Sequence, residues 1–309
     1  MRWDIAILSE PGERENNEDC VAVTSGDAGI CTVLCDGLGG HDAGEVASKC
    51  VCDSVTAAFE KAPEGADIGE LVCELLQNAQ DELMKMQIEL DKQNGMKTTA
   101  CCLLIQDGKT AAAYVGDSRI YVIRGGRILQ ITEDHLEFAD LYHKGIITQD
   151  QMDIHKKDSK LSAYLGMEDL EEIDEEVFSK YFIFYPGDIF LICTDGLSDT
   201  LRNGDLERLV RSLRTEEDMV AGLMKALGQR ILDKSDADST VVLLRIEDTE
   251  GEAPVRGAST IPRKENYEKR EEARTEETAG RTRTTVPARS TKTTEEPEPI
   301  RRKPVPARW

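Results

Sequence analysis

"TTACCLLIQDGKTAAAYVGDSRIYVIRGGRILQIT" (residues 98–132) alternates short apolar runs with Asp107-Gly108, Gly116-Asp117 and Gly125-Gly126. Gly and Asp at such spacing mark tight turns between strands. Three or four strands are expected here. Turns of two residues are too short for the crossover that joins parallel strands, so these neighbours run antiparallel. A doubly wound nucleotide-binding fold, which needs strand–helix–strand order and a GxGxxG loop, is thereby disfavoured.

Working outward, short strands are expected at Trp3–Leu8, Cys20–Thr24 and Ile30–Cys35. After the glycines of "CDGLGG" (35–40), residues Val46, Cys50, Val51, Val55 and Ala58 fall at helical spacing. A second helix is expected from Asp67 to Leu90, with Leu71, Leu75, Ala79, Leu83 and Met86 on one stripe. Residues 133–180 read as polar and irregular, with a short helix around Leu136–Lys144. In "YFIFYPGDIFLICTDG" (181–196), Pro-Gly-Asp suggests a hairpin. Helices follow at Asp205–Leu213 and Glu217–Leu232, then a last strand in "STVVLLRI" (239–246). The order points to an α+β fold of packed sheets with helices on their outer faces.

Charge divides the 309 residues unevenly. Residues 248–309 hold 14 Lys/Arg and 12 Asp/Glu, which leaves 24 basic and 48 acidic residues in 1–247. All nine cysteines and nearly all large apolar residues also lie in 1–247. The expected organisation is a globular domain over 1–247 and a disordered Glu/Thr/Arg/Pro-rich tail over 248–309. So acidic a domain is a poor partner for nucleic acid, whose binding relies on Lys and Arg at phosphates. The first apolar run is too short for a secretory signal, and no stretch reaches the roughly 20 apolar residues of a membrane span. An odd number of cysteines without CxxC fits small buried side chains in a reducing, cytoplasmic setting rather than disulfides or zinc.

Acids recur where apolar strands end: Glu18 and Asp19 in "RENNEDC", Asp36 in "VLCDGLGG", Asp117 in "AYVGDSR", Asp195 and Asp199 in "FLICTDGLSD", and Asp236 and Asp238 in "DKSDADSTVVLL". One such acid is an ordinary turn residue. Several delivered to a common rim repel one another unless a cation compensates. Oxygen ligands without His or Cys suit Mg²⁺ or Mn²⁺, and two such ions can activate water and clamp a phosphoryl group. Arg14 could hold a phosphate bidentately or form a surface salt bridge. There is no GxSxG elbow and no CxxxxxR loop.

With "RENNEDC" (14–20), "VLCDGLGGHDAGEVAS" (33–48), "TTACCLL" (98–104), "AYVGDSRIYVIRGGRILQITEDH" (113–135), "LSAYLG" (161–166), "YPGDIFLICTDGLSD" (185–199) and "STVVLL" (239–244) in this order, the chain resembles the metal-dependent Ser/Thr protein phosphatases of the PPM (type 2C) family, bacterial branch. The resemblance implies a central antiparallel β-sandwich flanked on both sides by antiparallel helix pairs, four layers in αββα order. It implies hydrolysis of phosphoserine and phosphothreonine in proteins by direct attack of a metal-bridging water. It implies two core Mn²⁺ or Mg²⁺ ions and a weaker third. Asp36 would ligate both core ions, Gly37 would lend its backbone carbonyl, Asp195 would hold one ion, and Glu18 and Asp19 would act directly or through water. Asp117 with Asp199 would hold the third ion, and Arg14 would bind the substrate phosphate. A mobile flap would fall near 137–160. The implied partners are phosphorylated proteins and a cognate Ser/Thr kinase, with the enzyme a monomer.

Two departures stand out. Animal members read "DGHGG", with a proposed general-acid histidine where this chain has Leu38; His41 is an alternative or a plain helix-start residue. Before the last strand the family's metal aspartate aligns with Ala237, so either Asp238 or Asp236 would take its role, and Asp238 is favoured. If neither reaches the metal, a weak or inactive phosphatase-fold signalling module is the competing reading. The tail reads as a tether, a docking segment, a kinase substrate or a plain linker.

Overall fold

The computed structural model describes residues 2–13, 16–39, 43–92, 95–148, 150–152, 159–168, 170, 179–213, 219–235 and 237–248. These lie in one compact unit, Met1–Thr260; a second unit, Ile261–Trp309, lies outside the described residues, as do Arg14, His41 and Asp236. The chain runs β1 (Arg2–Glu10), β2 (Asp19–Gly26), β3 (Gly29–Leu38), α1 (Ala43–Phe59), α2 (Ile68–Glu89), β4 (Lys97–Thr98), β5 (Ala100–Gln106), β6 (Lys109–Val115), β7 (Arg119–Arg124) and β8 (Arg127–Gln130). It continues through α3 (Glu137–His143), β9 (Ser179–Ile183), β10 (Ile189–Cys193), α4 (Asp195–Ser198), α5 (Asn203–Leu213), α6 (Met219–Lys234) and β11 (Ser239–Asp248).

Two sheets result, ordered β1-β11-β10-β7-β8 and β2-β3-β5-β6-β9, with β4 added on β3. All their ladders are antiparallel. Side chains alternate across each strand, and three apolar layers follow. Ile30 and Leu34 of β3 meet Phe190 and Ile192 of β10 between the sheets. Cys31, Val33 and Cys35 face α1 and α2, against Val51, Val55 and Leu76. Leu191 and Cys193 face α5 and α6, against Val210, Leu223 and Leu227. Both faces of β10 are therefore covered, which is why "IFLIC" is apolar at every position. The cysteines are buried thiols, except Cys20, which is partly exposed. This is the four-layer αββα sandwich expected.

The structure differs from the sequence reading in several places. Pro186-Gly187-Asp188 does not close a hairpin: β9 pairs with β6, whereas β10 lies between β11 and β7. The turn instead steps between sheets. Arg124 holds Asp188 through Nε–Oδ1 at 2.7 Å and Nη2–Oδ2 at 2.5 Å, and Asp188 Oδ2 also accepts from the Tyr185 N–H at 2.8 Å. Gly116-Asp117 steps between sheets in the same way, from β6 to β7. Residues 97–130 hold five strands rather than three or four, because the segment breaks at Thr99. The short α4 was not anticipated. Its Gly196 packs so tightly that a Cβ there would lie 2.2 Å from both Asp238 O and Ser239 Oγ. Gly196→Ala is accordingly expected to cost about 1–3 kcal/mol, read as a lower urea midpoint; an unchanged midpoint would refute this packing.

Candidate active site

The inter-sheet faces of β2, β3, β10 and β11 change from apolar to polar at one end. On β2 the stripe Val23, Val21 ends in Asp19; on β3 the stripe Ile30, Leu34 ends in Asp36. Asp19 and Asp36 are direct cross-strand partners, so both carboxylates stand on one face at the mouth of the sandwich. From the opposite sheet, Ile192 is followed by Thr194, and Val242 is preceded by Thr240 and Asp238. The site is thus the polar end of the inter-sheet gap.

Hydroxyls join the two sides. Thr194 Oγ1 donates to Asp19 Oδ2 at 3.0 Å, and the Thr240 N–H donates to Thr194 Oγ1 at 2.9 Å. Asp238, 3% exposed, accepts from the Glu18 N–H through Oδ2 at 2.9 Å. Glu18 O in turn accepts from the Gly37 N–H at 3.1 Å and from Ser48 Oγ at 2.6 Å. Gly37 has no room for a side chain, since a Cβ would fall 2.2 Å from Gly44 O in the first turn of α1. The glycine here serves the close approach of strand and helix, which holds the segment after Asp36 in place.

Asp36 itself is clamped through its backbone. Its N–H donates to Thr99 Oγ1 at 3.0 Å, its carbonyl accepts from the Thr99 N–H and from Thr98 Oγ1, each at 2.9 Å, and Thr99 Oγ1 bonds Ser118 Oγ at 2.8 Å. Ser118 adjoins Asp117, so one network spans two of the strand-end acids. "TTACCLL" supports the resemblance as a motif, but sequence reasoning gave these threonines no role; the paired hydroxyls beside a strand end were the available signal. Arg119, next in the chain, is locked onto Asp134 (Nε–Oδ1 2.8 Å, Nη2–Oδ2 2.5 Å) and was also missed.

Burial raises the pKa of these acids first, and neighbouring charge adds to it. Asp36 is pushed well above the ordinary carboxylate range by desolvation, then by Asp19, Asp195 and Asp117. Asp19 rises to about 7, chiefly through desolvation, with Asp238 and Asp195 adding to the rise against hydroxyl hydrogen bonds that lower it. Asp117 also rises to about 7, through desolvation, Asp195 and Asp134. Asp195 opens α4, and Asp199 follows one turn later at the exposed C-cap. Among the described residues, then, Glu18, Asp19, Asp36, Gly37, Asp117, Asp195 and Asp238 are drawn to one rim.

The donor set fits hard divalent cations. It is made of oxygen ligands, Asp19 Oδ1 is a buried carboxylate oxygen with no hydrogen-bond partner, and like charges crowd one end of the sandwich. The described residues contain no group of three or more Asp, Glu, His or Cys side chains placed to hold one metal ion. Thr99→Val should loosen the Asp36 clamp. The expected result is about tenfold weaker activation by Mn²⁺, with an unchanged circular-dichroism spectrum; unaltered metal activation would show that the clamp is dispensable.

The strand-end acids thus gather at the mouth of the gap between the two sheets. The family model described as Protein phosphatase 2C matches residues 12–235, and the chain belongs to that family. It is 30% identical over 207 residues to the serine/threonine phosphatase stp of Listeria innocua, covering 65% of this chain and 80% of that one. It is 28% identical over 213 residues to the protein phosphatase PhpP of Streptococcus pneumoniae, covering 68% and 85%. Among solved structures, the Mycobacterium tuberculosis serine/threonine phosphatase PstP/Ppp superposes with a TM-score of 0.67 at 29% identity, over 80% of this chain and 99% of that one. The catalytic domain of PstP in complex with two manganese ions gives 0.65 at 28% identity, over 80% and 99%. The chain is a protein serine/threonine phosphatase.

Proposed function

We propose that this phosphatase hydrolyses phosphoserine and phosphothreonine in proteins by direct attack of water, with the strand-end acids holding two divalent ions. The observation that carries the reading is the facing of Asp19 and Asp36 across β2 and β3, with burial and mutual charge raising the pKa of both, a cost that a bound cation would offset. When bound, Mn²⁺ or Mg²⁺ supplies Lewis acidity and water made nucleophilic near neutral pH. Asp36 and Asp195 are the principal holders, with the Gly37 carbonyl, Glu18, Asp19 and Asp238 completing the set. Asp117 and Asp199 hold a weaker third ion. Arg14 orients the substrate phosphate through its guanidinium fork. Thr98, Thr99, Thr194 and Ser118 fix the acids so that no side chain must reorganise during reaction.

The catalytic domain is read as 1–247 and the tail over 248–309 as non-catalytic. Among the described residues no helix is long and apolar enough to cross a membrane; the proposed setting is the cytoplasm, and the proposed state is a monomer acting on the targets of a partner Ser/Thr kinase. The test is release of phosphate from a phosphothreonine peptide with Mn²⁺, with Mg²⁺ and with chelator. Turnover only with the metals supports the reading, and turnover that survives chelation defeats it.

A further inference from the structure

We propose that Lys97 is a catalytic residue, the cation that meets the departing serine or threonine oxygen, and that Tyr164 positions it. The proposal rests on the metal-assisted reading above and concerns the opposite side of the reacting phosphorus.

Strand register puts Lys97 there. It pairs directly with Leu38 across β3 and β4, as Thr98 pairs with Gly37. Direct partners in an antiparallel ladder share a face, about 4.5–5.5 Å apart at Cα. Leu38 lies two residues beyond Asp36, hence on the same face and about 7 Å further along the strand. The other strand gives the same answer. Leu103 and Cys101 of β5 face the inter-sheet core, and beyond the break at Thr99 the register against β3 is kept, Leu34 opposite Cys101 and Leu38 opposite Lys97. Lys97 therefore stands on the face that carries Asp36, one step outward.

Burial sets which way is out. Along β3, Asp36 is buried, Leu38 half-buried and Gly39 exposed. A phosphoryl group at Asp36 must leave its protein chain outside, so the ester oxygen faces the Leu38–Lys97 pair. Lys97 is half-buried, and its Nζ sits 4.8 Å from the centroid of the Tyr164 ring, an attraction that holds an ammonium without neutralising it. Tyr164 belongs to a loop that is itself anchored. Leu165 bridges Thr98 through both backbone hydrogen bonds, Gln87 Nε2 donates to Gly166 O at 2.9 Å, and the Gly166 N–H donates to Gln80 Oε1 at 2.7 Å. Two buried glutamines of α2 thus anchor the loop that carries the ring, and the ring faces the ammonium. Arg119 cannot take this role, being bound bidentately to Asp134.

As the bond from water to phosphorus forms, the P–O bond to the side chain breaks and its electron pair stays on the departing oxygen. The Lys97 N–H donates to that oxygen and remains charged. The proton the alcohol finally carries comes from the attacking water by way of solvent. Serine and threonine oxygens are poor leaving groups, so a preorganised donor matters for them; nitrophenolate departs without help.

The test compares the full chain with Lys97→Met, Lys97→Arg and Tyr164→Leu, all with Mn²⁺, on a phosphothreonine peptide and on p-nitrophenyl phosphate. Lys97→Met is expected to lower kcat on the peptide about 100-fold and to leave kcat on p-nitrophenyl phosphate within about threefold, which also shows the variant to be folded. Lys97→Arg should keep most peptide activity, and Tyr164→Leu should lose about tenfold on the peptide alone. Across phosphomonoesters, kcat should fall more steeply with leaving-group basicity in Lys97→Met. Equal losses on both substrates, a change confined to KM for peptides with acidic flanks, or no change each overturn the proposal. Should Lys97→Met not fold, Lys97→Gln carries the same comparison. Metal-independent turnover by the unaltered chain would instead overturn the metal reading, so the two failures are distinguishable.

Discussion

Asp36→Asn is expected to lower kcat on a phosphothreonine peptide by at least about 1,000-fold with Mn²⁺ present, and to leave the metal-free protein as stable as the parent or more so. Asparagine has nearly the same shape, so the substitution removes charge and little else. Losing one preorganised electrostatic contact to a transition state commonly costs about 100- to 1,000-fold, and Asp36 is proposed to serve two ions at once. Stability moves the other way because Asp36 is buried beside Asp19, Asp195 and Asp117, and its charge is opposed by desolvation and by theirs. Phosphate release and urea unfolding in chelator measure the two arms. Activity above about a tenth of the parent's, or a clearly lower urea midpoint, would remove Asp36 from the centre of the mechanism.

The second large effect is a dependence of stability on pH that reverses when metal is added. Asp19 and Asp117 titrate at about 7 in the folded chain, against an ordinary value of 3.8. Between those values the folded state holds protons that the unfolded state has released. Stability therefore falls as pH rises from about 4 to about 7, and the loss is complete above it. Raising one buried carboxyl from 3.8 to about 7 corresponds to about 4 kcal/mol. For a domain of this size the expected result is a Tm about 10 °C lower at pH 8 than at pH 5 in chelator. Saturating Mn²⁺ at pH 8 should restore it, since a ligand that binds only the folded state stabilises it by mass action. Asp19→Asn should flatten the pH slope in chelator. A Tm that rises with pH in chelator, or that ignores Mn²⁺ at pH 8, would mean the acids do not form one charged cluster.

What could be read from the sequence followed from which signals are local. Asp107-Gly108 and Gly125-Gly126 close hairpins as expected, because turn and ladder are decided by the same few residues. Pro186-Gly187-Asp188 shows the limit: its turn chemistry is equally clear, but its flanking strands belong to different sheets. Their partners are distant in the chain, β6 for β9 and β7 and β11 for β10, and Arg124, over 60 positions away, grips Asp188 at the turn. Asp19, Asp36 and Asp117 could be singled out because acids recur at the ends of several apolar strands, although any one alone is an ordinary turn residue. The threonine and serine clamps were not legible, since threonine in a strand is also an ordinary β-former, and only the fold shows Thr99 and Ser118 bonding each other. Asp238 gained definition from its contact with the Glu18 N–H, whereas Arg14 and Asp236 lie outside the described residues.

The pairing of β1 with β11 along nearly their whole lengths, Trp3 with Ile246 through Glu10 with Ser239, has a consequence for synthesis. During synthesis β1 must wait for β11, and β10 needs β11 as well. Contacts this distant in sequence close slowly. Asp238, the final acid of the rim, immediately precedes β11. A nascent chain stopped before Asp238 thus lacks both the strand that closes the first sheet and the last rim acid. Folding and capacity for metal are completed together, once β11 has been made, and a product truncated before Asp238 should be neither stable nor partly active.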